Sequence, residues 1–124
     1  MTKRILMVDD EPALTRMVKL NLENSGDYEV RTENEGSKAL AAAKEFKPDL
    51  NFLDVMMPDM SGDEVAVQLK EDPQTANIKF VFMTAIVTKA ETGAEGANIG
   101  GNTFLAKPVK TEELIATIER VLSD

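Results

Sequence analysis

Apolar runs of strand length alternate along this chain with longer stretches in which apolar residues return every three or four positions. Ile5-Leu6-Met7-Val8, Leu50-Asn51-Phe52-Leu53, Phe80-Val81-Phe82-Met83 and Thr103-Phe104-Leu105-Ala106 read as buried strands, and Tyr28 to Thr32 as a weaker, alternating one. After the first run, Pro12 suits the opening turn of a helix, with Leu14, Met17, Val18 and Leu22 predicted on one face and Ser25-Gly26 as its stop. Ser37 to Phe46 reads as an Ala-rich helix with Leu40, Ala43 and Phe46 on one side, ended by Lys47-Pro48. Ser61-Gly62-Asp63-Glu64 has the form of a capping box, in which hydroxyl and carboxylate each satisfy a free amide. Val65 and Leu69 then face the core, and Asp72-Pro73 closes the helix. Thr111 is expected to cap a last helix, with Glu112 and Glu113 favoured by the dipole in its first turn. The buried face of that helix is Leu114, Ile115, Ile118, Val121 and Leu122.

Five βα units in tandem, with no linker or repeat between them, predict one α/β domain over residues 1–124: a doubly wound parallel sheet covered by helices on both faces. The weak stretch is Ile86 to Gly101. Gly93, Gly96, Gly100 and Gly101 lower helix stability where a fourth helix is due, so that helix is expected to be short or mobile.

Composition removes several kinds of chemistry. The 124 residues include no cysteine and no histidine, which excludes disulfides, thiolate chemistry, sulfur metal sites and the commonest transition-metal ligand. Any metal here must be held by oxygen. Fourteen Lys and Arg against 22 Asp and Glu give a net charge of -8, which repels a phosphate backbone and argues against direct nucleic-acid binding. Met1-Thr2-Lys3-Arg4 leads straight into a run too short for a signal-peptide core, and no run approaches membrane-spanning length, so the expected location is cytoplasmic.

The chemistry gathers where the strand runs end. Asp9 and Asp10 follow the first run, Asp54 the third, Thr84 the fourth and Lys107 the last. Open α/β sheets bind ligands at that end of their strands. Taken singly, an Asp after a strand is often a helix cap, Thr84 a sheet-end residue and Lys107 a solvated charge. Together they could place three carboxylates, a hydroxyl and an ammonium in one crevice. Crowded carboxylates persist near neutral pH only with protons or a cation among them. Magnesium suits such a set, because it takes hard oxygen ligands and keeps several waters. A carboxylate beside that ion can attack a phosphoryl group while a nearby Lys neutralises the transferring oxygens.

Val8-Asp9-Asp10-Glu11-Pro12, Leu53-Asp54-Val55-Met56-Met57-Pro58-Asp59-Met60-Ser61-Gly62, Met83-Thr84-Ala85 and Leu105-Ala106-Lys107-Pro108 resemble, in order and spacing, the receiver domain of two-component response regulators. The resemblance covers essentially the whole chain and implies a flavodoxin-like (βα)5 sandwich with strand order 2-1-3-4-5. It implies Asp54 as phosphoacceptor, supplied by a sensor histidine kinase or phosphotransfer protein. It implies Asp10 as a direct Mg2+ ligand, Asp9 acting largely through bound water, and the Met56 carbonyl completing the shell. Lys107 would pair with the phosphate, and its bond to Pro108 is expected to be cis. Thr84 would turn its hydroxyl to a phosphate oxygen, and the amides of Met56 and Ala85 would contact the others. Phe104 matches the aromatic position that moves inward with that Thr, although it also reads as an ordinary strand residue packed on the sheet. The added charge would bias a two-state element and change a docking face for a downstream protein or output domain. The Gly93 to Gly101 stretch lies in that face. Met56 and Ile86 are apolar and unable to align a hydrolytic water, which implies a long-lived phosphoryl group.

Two other classes use similar ingredients. In a magnesium phosphatase of the haloacid dehalogenase type, Asp9 and Glu11 would be nucleophile and acid, but Asp54 carries the stronger motif and a cap segment is missing. A flavodoxin-like electron carrier shares the topology, yet the first loop is acidic where a flavin phosphate needs hydroxyls and free amides. A receiver-like module that is never phosphorylated is a third reading. No output domain follows Asp124, so the chain is either a stand-alone regulator or one domain of something larger.

Overall fold

The apolar runs pair into a single sheet. The computed structural model describes residues 2–85, 97–99 and 102–123. Its elements in chain order are β1 (Lys3–Val8), α1 (Pro12–Asn24), β2 (Tyr28–Glu33), a 3-10 turn (Gly36–Lys38), α2 (Ala39–Phe46), β3 (Leu50–Asp54), α3 (Gly62–Glu71), β4 (Lys79–Thr84), β5 (Ala97–Ile99), β6 (Asn102–Ala106) and α4 (Thr111–Leu122). The sheet order is β2-β1-β3-β4-β6-β5. Its five parallel strands therefore follow the 2-1-3-4-5 order implied by the resemblance. One strand goes beyond expectation: β5 pairs antiparallel with β6 at the sheet edge, with Ala97 opposite Phe104. Five strands were predicted because the stretch around β5 is glycine-punctuated and only three residues long, too short for a periodicity signal. The fourth helix expected within Ile86 to Gly101 lies outside the described residues.

Strand alternation divides the core into two layers. Ile5, Met7, Leu50, Phe52, Val81, Met83 and Leu105 pack with Val18, Leu22, Leu114 and Ile118 on the face carrying α1 and α4. Leu6, Val8, Leu53 and Phe82 pack with Ala39, Ala42, Ala43, Val65 and Leu69 on the face carrying α2 and α3. Burial on both faces is why these strands read as continuous apolar runs.

Four local expectations change. Met17 is 49% exposed, because the buried stripe of α1 is centred on Thr15, Val18 and Leu22 and Met17 lies around the helix from it. The predicted second helix begins as a 3-10 turn and becomes α-helical only at Ala39, burying Ala39, Ala42 and Ala43 while Leu40 and Phe46 stay half-buried. Ser61 caps α3 by accepting from the Glu64 amide at 3.3 Å, but the Glu64 carboxylate accepts from the Ser61 hydroxyl at 3.2 Å instead of from an amide. Thr111 lies inside α4; the flanking residue is Lys110, whose amide donates to the Glu113 carboxylate at 2.9 Å.

Asn51 breaks the apolar pattern of β3. It is fully buried between Leu6 and Phe80 of the adjoining strands, and neither of its amide atoms has a hydrogen-bond partner among the described residues. A buried unpaired polar group costs about 1–3 kcal/mol. Asn51→Leu, close in size, should therefore raise the urea midpoint with little change in slope. A midpoint at or below that of wild type would show the amide to be satisfied after all.

Candidate functional site

The carboxyl ends of β1, β3, β4 and β6 bring together the residues singled out in the sequence. Asp9 and Asp10 follow β1, Asp54 ends β3, Thr84 ends β4, and Lys107 follows β6 with a cis bond to Pro108. Parallel register aligns these ends: Val8 lies beside Leu53, Asp54 beside Met83, and Thr84 beside Ala106. Backbone hydrogen bonds continue the alignment past the strands, from Val55 N–H to the Met83 carbonyl and from Lys107 N–H to the Thr84 carbonyl, both at 2.9 Å.

Asp9, Asp10 and Asp54 each present a carboxylate oxygen, and these oxygens all lie within 4.8 Å of one another. Asp9 is fully buried, Asp54 is 4% exposed and Asp10 is half-buried. Asp9 Oδ1 accepts from the Glu11 amide at 3.0 Å. Its Oδ2 is 2.7 Å from Lys107 Nζ in a close ion pair. The same ammonium stands 3.4 Å from Asp54 Oδ1 and 3.2 Å from Glu11 Oε1. Lys107 thus ties the first and last loops to the third strand.

Burial raises the Asp9 carboxyl above the usual range, and the Lys107 contact offsets this only in part. Burial and then the charge of Asp9 push Asp54 to about 6, against the opposing pull of Lys107 and the Met56 amide. Burial works against the Lys107 ammonium as well, but Asp9 and Asp54 outweigh it and hold its pKa above the ordinary value. One ammonium is therefore too little positive charge for this pocket. The donor set tests what could supply more: hard oxygens only, three carboxylates sharing one ammonium, suit a small divalent cation.

The remaining predicted residues surround this centre. The Met56 amide points to Asp54 Oδ1 at 3.4 Å while its side chain is 65% exposed. Thr84 is buried, and Ala85 is exposed beside it. Phe104 is half-buried with its ring centroid 5.2 Å from that of Phe82. Ile86 lies outside the described residues. A shallow cavity of about 290 Å³ lined by Glu11, Leu14, Ala85, Lys107, Pro108 and Val109 opens next to Lys107. Sequence reasoning gave Glu11 a role only in the phosphatase alternative and missed its pairing with Lys107, and it missed Asp59 and Asn34, which hold neighbouring loops. Adjacency to the acidic pair could have flagged Glu11; nothing local marks the other two.

Gly62, the first residue of α3, seats the loop after Asp54. A Cβ there would stand 2.4 Å from the Asp54 carbonyl oxygen and 3.0 Å from Val55 Cα, while the Gly62 amide donates to the Val55 carbonyl at 3.0 Å. The helix start can approach the reactive strand end this closely only without a side chain.

Comparison with known proteins agrees with this fold. Residues 5–119 match the family model described as response regulator receiver domain. The chain is 36% identical over 119 residues to the DNA-binding dual master transcriptional regulator RpaA of Synechocystis, covering 96% of this chain and 48% of that protein. It is 40% identical over 118 residues to the response regulator PleD of Caulobacter vibrioides, covering 95% of this chain and 26% of that protein. The chain thus spans about half or less of the length of these curated relatives. Among solved structures, the Vibrio cholerae chemotaxis protein CheY4 superposes with a TM-score of 0.82 at 32% identity, covering 98% of this chain and all of that one. A response regulator from Desulfuromonas acetoxidans gives 0.81 at 29% identity, covering 98% and 97%.

Proposed function

Because the chain belongs to the response regulator receiver domain family of two-component signalling, we propose that it accepts a phosphoryl group onto Asp54 from the phosphohistidine of a sensor kinase or phosphotransfer protein, with Mg2+ held among Asp9, Asp10 and Asp54. The observation that carries this reading is the meeting of three carboxylates within 4.8 Å beside one ammonium at the carboxyl edge of the sheet. Asp54 is the acceptor of the set because it ends β3 facing the Met56 amide with Lys107 Nζ 3.4 Å away, whereas Asp9 is fully enclosed and already paired with that ammonium at 2.7 Å. A carboxylate oxygen of Asp54 attacks phosphorus, the P–N bond of the phosphohistidine breaks, and the imidazole leaves with the electron pair. Lys107 neutralises charge on the moving oxygens and then pairs with the aspartyl phosphate. The bound ion supplies further neutralisation of those oxygens. Asp10 and the Met56 carbonyl would hold it directly and Asp9 largely through water, and the amides of Met56 and Ala85 would contact the phosphate.

The charge added at Asp54 then acts on Thr84 and Phe104. Thr84 turns toward the phosphate, and Phe104, stacked on Phe82, shifts with it to alter a docking face for a downstream protein or output domain. Coupling of about 1–3 kcal/mol is enough for such a shift. The net charge of -8 favours a protein partner over direct contact with nucleic acid. Among the described residues no helix is long and apolar enough to cross a membrane, in keeping with a cytoplasmic role.

Incubation with acetyl phosphate should add one phosphoryl group in Mg2+ and none in excess chelator, and peptide mapping should place it on Asp54. Label on Asp9 with turnover of the phosphoester would favour a phosphatase instead, and no label under either condition would refute the phosphoacceptor role of Asp54 and leave a receiver-like module that is never phosphorylated.

A further inference from the structure

The short segment between β2 and α2 touches both halves of the acidic site. At one end the Asn34 side-chain amide donates to the Asp9 carbonyl at 2.8 Å and to the Thr15 hydroxyl at 3.0 Å. Thr15 is itself buried and donates to the Pro12 carbonyl at 3.2 Å, so Asn34 is anchored to the start of α1 as well as to the acidic pair. At the other end Asp59 reaches over from the loop that follows Asp54. One of its carboxylate oxygens accepts from the Gly36 amide at 3.1 Å and the other from the Ser37 amide at 3.0 Å. Those two bonds hold the exposed Asp59 carboxyl below its ordinary range, the Ser37 amide contributing most. Glu35, the residue that should cap this turn, makes no side-chain capping bond, so the cap comes from elsewhere in the chain. Gly36 completes the joint: a Cβ there would lie 2.7 Å from the Met60 carbonyl oxygen and 3.0 Å from Met60 Cβ. The segment therefore lies directly on the acceptor loop.

We propose that residues 34–37 form a brace that sets the separation between the Asp9–Asp10 pair and the Asp54–Met56 loop, with Asn34 and Asp59 as its two positioning residues. Neither touches the ion or the phosphoryl group. Each fixes the backbone of a loop that carries ligand oxygens, one through the Asp9 carbonyl and the other through the loop holding Met56. Mg2+ demands near-ideal octahedral geometry with bonds of about 2.0–2.1 Å, so it is sensitive to displacement of either loop. The proposal rests on the assignment of these carboxylates as Mg2+ ligands.

Isothermal titration with Mg2+ alone tests both, at a temperature where circular dichroism shows each variant folded. Asn34→Ala and Asp59→Ala should each weaken Mg2+ binding about tenfold, the lower end of what outer-shell changes do to metal sites. Asp59→Asn keeps a carbonyl oxygen for one of the two amides and should recover much of the loss. The double variant Asn34→Ala/Asp59→Ala should bind scarcely more weakly than the poorer single, because both ends belong to one brace and their effects are not additive. Glu35→Ala, whose side chain pairs on the surface with Lys38 at 3.2 Å, should leave the affinity unchanged. Single variants with wild-type affinity, losses that multiply in the double variant, or an Asp59→Asn as weak as Asp59→Ala would each overturn the brace while leaving the ligand assignment intact. A wild type that binds no Mg2+ would overturn the ligand assignment and the brace with it.

Discussion

Asp54→Asn should lose phosphoryl labelling completely and, without divalent ions at about pH 7.5, should be more stable than the wild type by about 2–3 kcal/mol. The same physical state of Asp54 produces both outcomes. Burial and the neighbouring Asp9 carboxylate lift its pKa from 3.8 to about 6. Each tenfold change in proton affinity corresponds to about 1.4 kcal/mol, so ionising this group in the fold is unfavourable by about 3 kcal/mol relative to the unfolded chain. Between about pH 4 and pH 6 the folded protein holds a proton that the unfolded chain has released. Wild-type stability therefore falls as pH rises through that window, and the full deficit is present above it. Asparagine has no charge to desolvate and does not repel Asp9. The advantage of the variant should accordingly shrink as pH drops toward about 4. A smaller slope of the same sign should remain in the variant, because the Asp9 carboxyl is also raised. Mg2+ should narrow the gap from the other side, by stabilising the wild type more than the variant. Urea unfolding at several pH values, with Mg2+ or chelator, reads all of this. A variant less stable than wild type at neutral pH without Mg2+ would show that the Lys107 ion pair outweighs the burial of Asp54.

Gly62→Ala should destabilise the protein by about 2–3 kcal/mol and impair labelling of Asp54 at the same time. At an ordinary helical position the change from Gly to Ala would be stabilising by about 1 kcal/mol. Here the added carbon would meet the Asp54 carbonyl oxygen at 2.4 Å, and that oxygen belongs to the backbone at the end of a fully buried strand. Neither side can yield as a flexible side chain would. Relief requires α3 to back away or the acceptor loop to shift, and the second displaces the Met56 amide and carbonyl together. A lower urea midpoint with slower acetyl phosphate labelling is the expected pair of results. A midpoint at or above that of wild type would mean that α3 moves freely and that the glycine is dispensable.

The contrast between Gly62 and Asp59 shows what a sequence displays and what it conceals. Gly62 sits in a motif whose resemblance to receiver domains was plain, and its neighbours Ser61 and Glu64 announced a helix start. The hydroxyl–carboxylate bond between them, in place of the second of the two amide bonds, depends on rotamers that spacing does not determine. Asp59 gave no signal, since its partners Gly36 and Ser37 lie 23 and 22 residues away and only the packing of two loops makes them neighbours. β5 escaped notice for a related reason: three residues between glycines have no period of their own, and their strand character comes from pairing with β6. Met17 was placed on the wrong face because the six apolar residues of α1, Ala13, Leu14, Met17, Val18, Leu20 and Leu22, allow more than one stripe, and contact with the sheet selects among them.

From its order of residues alone the chain determined the alternation of strands and helices, the two-faced burial of the sheet, and the ends of the strands where Asp9, Asp10, Asp54, Thr84 and Lys107 fall. Those features arise from local periodicity and from the direction a parallel sheet imposes on its loops, both of which are written in neighbouring residues. Tertiary structure decided how near the carboxylates stand, that Lys107 reaches Asp9, Asp54 and Glu11 together, how far burial lifts the proton affinity of Asp54, and which distant side chains hold the loops. These depend on distance and dielectric surroundings, which emerge only when segments far apart along the chain share one low-dielectric pocket.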